Sequence, residues 1–136
     1  MKRLGMAVKE RSLEAFEPTG LNPQHHAVLS LLDEDARETQ ATIADALGYD
    51  RSQLVGILDE LEVKGYVERR RDTTDRRRHL VSLTPAGATA LRDLRAIARR
   101  VEKELLAPLS RDEQASLHAL LLKLASHHDP RCAAAK

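Results

Sequence analysis

Two helical segments in the middle of the chain are separated by only three residues, Gly48-Tyr49-Asp50. The first segment covers residues 39–47, and Gly48 is placed to end it in the left-handed conformation. In the second, Asp50 and Gln53 have the spacing of a capping box, apolar residues recur at helical spacing, and Gly65 closes the helix. A short helix, a tight turn and a longer capped helix predict a helix-turn-helix.

The hydrophobic pattern changes directly after these helices. Residues 66–71 and 79–83 have the character of two short strands, joined by a polar stretch rich in turn formers. The sequence therefore predicts a β-hairpin, which completes a winged helix-turn-helix. Six of the 16 arginines lie in the hairpin, so segment 68–79 has a charge of +3 against −2 for the rest of the chain. An Arg/Asp-rich hairpin is also found as a merely solvated sheet edge, and this alternative stays open.

Helical patterns flank the winged unit on both sides. Residues 2–16 predict one helix, and the cap Asn22-Pro23 begins another that ends near Asp33, with residues 33–38 as a loop. After the hairpin, Thr84-Pro85 begins a long helix with a coiled-coil-like apolar seam. Pro108 ends that helix, and a last helix follows a capping box formed by Ser110 and Glu113.

The predicted fold class is mainly α: a winged helix-turn-helix with a two-stranded β-wing, plus N- and C-terminal dimerisation helices. A length of 136 residues suits one compact domain. Within it we assign an N-terminal dimerisation helix, a DNA-binding lobe, C-terminal dimerisation helices and a disordered tail. These occupy residues 1–21, 22–84, 85–128 and 129–136.

Composition excludes several classes of function. No apolar run reaches the roughly 18 residues of a spanning helix, so no membrane partner is expected. Three aromatic residues are too few for a base-stacking platform. Glycine-rich phosphate loops, catalytic triads and zinc-spaced Cys/His clusters are missing from the sequence, so we predict no enzyme, no catalytic residue, no metal and no cofactor. The single cysteine, Cys132, indicates a reducing cytoplasm.

The residue types around the turn suit duplex DNA. Short polar and basic side chains open the second helix, where a major groove is entered, because Gln pairs with adenine and Arg with guanine or phosphate. The start of the first helix carries donors for phosphates. The candidate contacts to bases and backbone are Thr39, Gln40, Thr42, Arg51, Ser52, Gln53 and Val55. In the wing, Arg76 and Arg77 suit a narrow minor groove, and Asp75 is placed to hold the tip by pairing with one of them.

Residues 41–55, 58–69 and 72–87 resemble the MarR family of bacterial transcriptional regulators, and the Asp-Arg-Arg sequence of the wing is the most specific part of the match. The resemblance implies an obligate homodimer on near-palindromic DNA, with Arg77 reaching the minor groove. It also implies release from DNA by a small, often phenolic, ligand. Three features depart from the family: the first helix begins late, Gly56 replaces a polar residue, and no cysteine lies in the N-terminal helix.

Two further sets of residues follow from this assignment. Dimerisation explains the helices outside the winged unit, since two half-sites need a rigid spacer. The candidate dimer residues are Leu4, Val8, Val101, Leu105, Leu117, Leu121 and Leu124. His25 and His26 are candidate contacts of a small-molecule effector, with a capping or surface role as the alternative.

The sequence thus predicts a cytoplasmic, homodimeric repressor that binds double-stranded DNA and is relieved by a small, aromatic ligand. Two other functions stay open. One is a winged-helix module that binds an acidic protein partner through its basic wing. The other is a thiol-based redox sensor that uses Cys132.

Overall fold

A computed structural model describes residues 1–34 and 38–133 of the chain. These residues form a mainly α fold with one small antiparallel sheet, which confirms the predicted fold class. The helices are α1 Lys2–Phe16, α2 Pro23–Glu34, α3 Gln40–Leu47, α4 Arg51–Val63, α5 Pro85–Leu106, α6 Arg111–His128 and α7 Pro130–Ala133. The strands are β1 Glu38–Thr39, β2 Val67–Arg71 and β3 His79–Leu83, and a 3-10 turn covers Glu17–Thr19.

The chain divides into two compact units, Met1–Val101 and Glu102–Lys136. The division falls within α5. The sequence instead predicted one compact domain, in which the DNA-binding lobe ends at residue 84 and the C-terminal dimerisation helices begin at residue 85. Val101 is the last buried residue of α5, and the α5 residues that belong to the core of the first unit are Leu91 and Leu94. The assignment of segments to dimerisation and DNA binding stays a prediction.

The predicted helix starts are confirmed by side-chain caps. Asn22 Oδ1 accepts the backbone N–H groups of Gln24 and His25 at 2.9 and 3.0 Å. Ser110 and Glu113 form the reciprocal capping box of α6. These bonds satisfy donors that have no partner inside a helix, which is why the boundaries could be read from the sequence.

The sheet contains one strand more than predicted. Its order is β1-β3-β2, with Thr39 opposite Leu80 and Arg69 opposite Val81. The prediction of a loop over residues 33–38 is therefore wrong where it can be compared, since Asp33 and Glu34 end α2 and Glu38 lies in β1. Residues 35–37 lie outside the described part. A two-residue strand has no alternation to detect, and its pairing with β3 is remote in sequence.

The core of the first unit is formed by α2, α3, α4, α5 and the sheet. Leu29, Leu58, Leu61 and Val81 have no exposed area. The predicted seam of α5 contributes to this core, because Leu91 and Leu94 are each only 1% exposed. Their burial is thus completed within one chain, so this part of the seam belongs to the core. Val101, a predicted dimer residue, is also buried within the single chain.

The second unit leaves a row of leucines uncovered. Leu120, Leu121, Leu122 and Leu124 on α6 are 40–60% exposed. After α6, residues 130–133 form the short helix α7, and the disordered tail assigned to 129–136 stays a prediction. Asp129 caps the turn by accepting the backbone N–H of Arg131 at 3.0 Å. Residues 134–136 lie outside the described part.

The start of α5 is fixed against the turn between α4 and β2, and Gly87 makes the approach possible. Thr84 donates its backbone N–H to Tyr66 O at 3.1 Å and its hydroxyl to Gly65 O at 2.6 Å. A Cβ at position 87 would lie 2.1 Å from the carbonyl oxygen of Tyr66. Only glycine fits this contact.

We therefore expect Gly87→Ala to lower the free energy of unfolding by about 1–3 kcal/mol, because α5 must move away from Tyr66. Chemical denaturation followed by circular dichroism measures this change. Gly5→Ala is the matched control, since a Cβ there meets no atom within 4 Å. Equal stability of the two variants would contradict the packing described for Gly87.

Candidate DNA-binding surface

The first two turns of α4 present the predicted base-contacting residues to solvent. Arg51, Ser52, Gln53 and Val55 are exposed. The opposite face of α4 is buried in the core through Leu54, Ile57, Leu58 and Leu61. Because the buried residues recur at helical spacing, the exposed side is fixed in direction.

Asp50 holds the start of α4 in shape. Its Oδ1 accepts the backbone N–H of Gln53 at 2.7 Å and the hydroxyl of Ser52 at 2.8 Å. The backbone bond and then the hydroxyl bond lower the pKa of Asp50 below its ordinary value, since both stabilise the carboxylate. The Ser52 proton is thus directed at Asp50, so Ser52 is better placed to accept than to donate.

The start of α3 differs from what the sequence predicted. Thr39 is buried, and its hydroxyl oxygen accepts the backbone N–H of Thr42 at 3.1 Å as the helix cap. Thr42 Oγ1 accepts the backbone N–H of Thr39 at 3.1 Å and donates to the carboxylate of Glu38. Thr39 is therefore a capping residue and not an exposed phosphate donor, while Gln40 is half-buried and borders the cleft described below.

The tip of the wing is ordered by its own aspartates. Asp75 accepts the backbone N–H of Arg77 at 3.1 Å, and the Arg77 Nε lies 3.3 Å from the same oxygen. This confirms that Asp75 pairs with one of the two arginines that follow it. Asp72 accepts the backbone N–H and the hydroxyl of Thr74, and these two bonds lower its pKa. The Arg77 side chain nevertheless remains 93% exposed.

A cleft of about 350 Å³ brings these elements together. The start of α3, the start of α4 and the tip of the wing form its walls. Its lining residues are Thr39, Gln40, Ala41, Arg51, Leu54, Val55, Arg77, Arg78 and His79. The sequence did not single out Arg78 or Ala41 as site residues, although Arg78 belongs to the arginine run that marked the wing.

The arginines of β2 do not line this cleft. Arg69, on β2, contacts Asp59 at 2.5 Å and Glu62 at 3.1 Å, both on α4. The hydrogen bonds from Arg69 lower the pKa of Glu62. Arg70 pairs with Glu68 at 3.3 Å. Because Arg69 is held by carboxylates of α4, the charge of +3 counted over the hairpin overstates the positive charge that DNA can meet.

The two candidate effector histidines have different surroundings. His25 is buried, its Nδ1 accepts the Asn22 N–H at 3.0 Å, and its Nε2 lies 2.6 Å from Glu60 Oε2. Both ring nitrogens are thus engaged, and His25 joins α2 to α4 instead of facing a ligand. His26 packs on Phe16 with ring centroids 5.7 Å apart. Burial, and then the neighbouring Arg95, lower the pKa of His26.

The described residues contain no helix long and apolar enough to cross a membrane. Over the same part of the chain, no group of three or more metal-binding side chains comes together. Cys132 lies in α7 with a half-buried thiol.

The MarR family model matches residues 19–78. A Thauera aromatica protein named for transcriptional regulation of the hcr operon is 32% identical over 105 residues, which is 77% of this chain and 63% of that protein. The chain thus spans less than two thirds of the length of this relative.

Several solved structures share the fold. The transcriptional repressor CouR bound to a 23-mer DNA duplex has 36% identity and a TM-score of 0.84, and the match covers 91% of this chain and 88% of that chain. A MarR-family regulator of Rhodococcus sp. RHA1 has 30% identity and a TM-score of 0.82 over the same shares. The PcaV regulator of Streptomyces coelicolor, in complex with its natural ligand, has 27% identity and a TM-score of 0.78, covering 93% and 92%.

The exposed start of α4 beside an arginine-tipped hairpin defines a winged-helix DNA-binding protein of the transcriptional regulator class. With relatives at 30% identity or more over most of their length, the chain belongs to the MarR family.

The lowered pKa of Asp50 predicts how the stability of the fold depends on pH. The folded-state pKa of Asp50 lies below its ordinary value of 3.8, so the cap stabilises the fold above that value and is lost as pH falls through the folded-state pKa. Asp50→Asn keeps an acceptor but does not titrate. We expect the difference in Tm between wild type and Asp50→Asn to shrink as pH falls from about 5 to 3. A constant difference would show that the Asp50 charge does not contribute to the cap.

Proposed function

We propose that the chain acts as a homodimer on near-palindromic duplex DNA, with α4 in the major groove and the wing tip in the minor groove. The observation that carries the proposal is the shared cleft, which joins the exposed start of α4 to the Arg77 side of the wing. One compact unit therefore offers a helix and a basic tip to adjacent grooves. The DNA complex of CouR, which has the same fold, supports this arrangement.

Direct readout is assigned to the start of α4. Gln53 and Arg51 are exposed in the first turn, where a recognition helix meets base edges. Gln bonds adenine through two atoms, and Arg bonds guanine or a phosphate. The N-cap at Asp50 fixes the direction of this turn, so the pattern of base contacts follows from it.

The wing is assigned to indirect readout. Arg77 extends from an Asp75 anchor and keeps its guanidinium exposed, and Arg76 is exposed beside it. A narrow A/T-rich minor groove has a focused negative potential that attracts such a group.

Dimerisation is assigned to α1 and to the second unit. Leu4, Leu121 and Leu124 are 63%, 55% and 54% exposed, while Val8, Leu105 and Leu117 are half-buried. Exposed leucines along one helix are the expected surface of a subunit interface. The buried Val101 contributes at most at the edge of such an interface.

The regulatory part of the proposal is repression that a small aromatic ligand relieves. CouR is a transcriptional repressor, and PcaV was solved with its natural ligand. In this chain His26 is the candidate contact of an aromatic acid, and its neighbouring cation is Arg95, which pairs with Asp33 at 2.9 Å. DNA binding measured with a panel of aromatic acids present tests this part.

Arg77→Ala should weaken duplex binding by about 1–3 kcal/mol, mostly at A/T-rich flanks, and reduce the slope of log K against log salt by about one. Fluorescence anisotropy with duplexes selected from a random pool measures both. Arg70→Ala is the matched control, because Arg70 is 79% exposed and has a carboxylate partner at the same 3.3 Å distance as Arg77, but does not line the cleft. Equal losses for the two variants would reject the assignment of the wing tip, and no preference for any duplex would reject the proposed function.

A charge in the leucine row of α6 should separate the subunits. We expect Leu121→Asp to shift the protein from dimer to monomer in sedimentation experiments, because a carboxylate in an apolar interface is costly. Val63→Asp is the control, since Val63 is 89% exposed on α4. An unchanged dimer in Leu121→Asp would place the interface elsewhere.

A further inference from the structure

The exposed face of α4 changes character one turn after its polar start. Arg51 and Ser52 are followed four residues later by Val55 and Gly56, and all four positions are exposed. Val55 keeps 38% of its surface exposed although it is aliphatic, and Gly56 presents bare backbone. We call this shallow apolar region, formed by Val55 and Gly56, the α4 notch.

The fold itself does not require glycine at position 56. A Cβ there would meet no atom within 4 Å, and the backbone has an ordinary helical conformation. Glycine inside a helix is destabilising relative to alanine, so the chain carries an unfavourable residue where its own structure leaves room for a better one. Gly5 is equally open but lies in the first turn of α1, where this cost is smaller.

The surroundings of the notch indicate what occupies that room. Val55 lines the cleft together with the apolar Ala41 and Leu54, and Arg51 flanks it one turn before. If α4 enters the major groove, the notch faces base edges. The distinctive apolar group that a base pair presents there is the 5-methyl group of thymine.

We propose that the α4 notch recognises a thymine in each half-site: Val55 contacts its 5-methyl group, and Gly56 lets the helix approach the base edge closely. This rests on the proposed function, since it assumes α4 in the major groove. Val55 is thus a specificity-determining residue that acts through shape and apolar contact, beside the hydrogen bonds of the first turn.

The test replaces single thymines by deoxyuridine in duplexes that the wild-type protein selects from a random pool. This substitution removes one methyl group and no hydrogen-bonding atom. At one position per half-site we expect wild-type affinity to fall about three- to fivefold, the effect of one buried methyl group. Val55→Ala should bind the thymine and deoxyuridine duplexes equally. Val63→Ala, a matched change at the end of α4, should keep the wild-type difference.

Gly56→Ala tests the close approach. Since alanine favours the helix and has room in the free protein, we expect Tm to rise by a few degrees. The added methyl group should lower affinity for the selected duplex at least tenfold. A variant that is more stable and binds more weakly separates contact with DNA from damage to the fold.

The outcomes distinguish failure of the proposed function from failure of the thymine contact alone. If no duplex is selected, the proposed function fails and this inference fails with it. If duplexes are selected but no thymine position is sensitive, or the sensitivity persists in Val55→Ala, the thymine contact alone is rejected. Unchanged affinity in Gly56→Ala rejects the close approach.

Discussion

The burial of one face of α4 is the constraint on which the DNA-binding unit depends. Leu54, Leu58 and Leu61 have at most 1% of their surface exposed. Full burial of such side chains stabilises by roughly 1.5–3 kcal/mol each, so α4 cannot turn about its axis without losing much of the stability of the unit. The core therefore sets the outward direction of Arg51 and Val55. The exposed side of α4 needs no further interaction to fix its orientation.

The core stabilises α4, and hydrogen-bonded and charged pairs on its surface fix the orientation of neighbouring elements relative to it. Glu60 meets the buried His25 of α2, and Asp59 and Glu62 meet Arg69 of the wing strand. Ion pairs with exposed partners contribute little free energy, so their effect lies in geometry. Because both sets of bonds end on α4, the wing and the start of α2 keep a fixed relation to the recognition helix.

The sequence predicted contacts between residues that are close along the chain and missed contacts between residues that are far apart along it. The caps at Asn22, Asp50 and Ser110 involve neighbours three residues apart, so their chemistry is visible in the sequence. The strand β1 depends on β3, about forty residues away, and the role of Thr39 depends on its burial. The same limit explains why His25 was a candidate for ligand binding: its partner Glu60 lies 35 positions further on.

The positive charge that the wing exposes also depends on contacts that the sequence alone does not show. A net charge of +1 leaves little general attraction for DNA, since non-specific binding grows with the number of phosphates neutralised. Arg69 contacts Asp59 and Glu62 on α4, so the exposed positive charge of the wing lies at Arg70, Arg71 and residues 76–78. A protein built this way gains little from sliding a basic face along any duplex. Its affinity must come from a small contact in which the groove fits the tip and the bases fit α4, so shape at positions such as Val55 and Gly56 matters as much as charge.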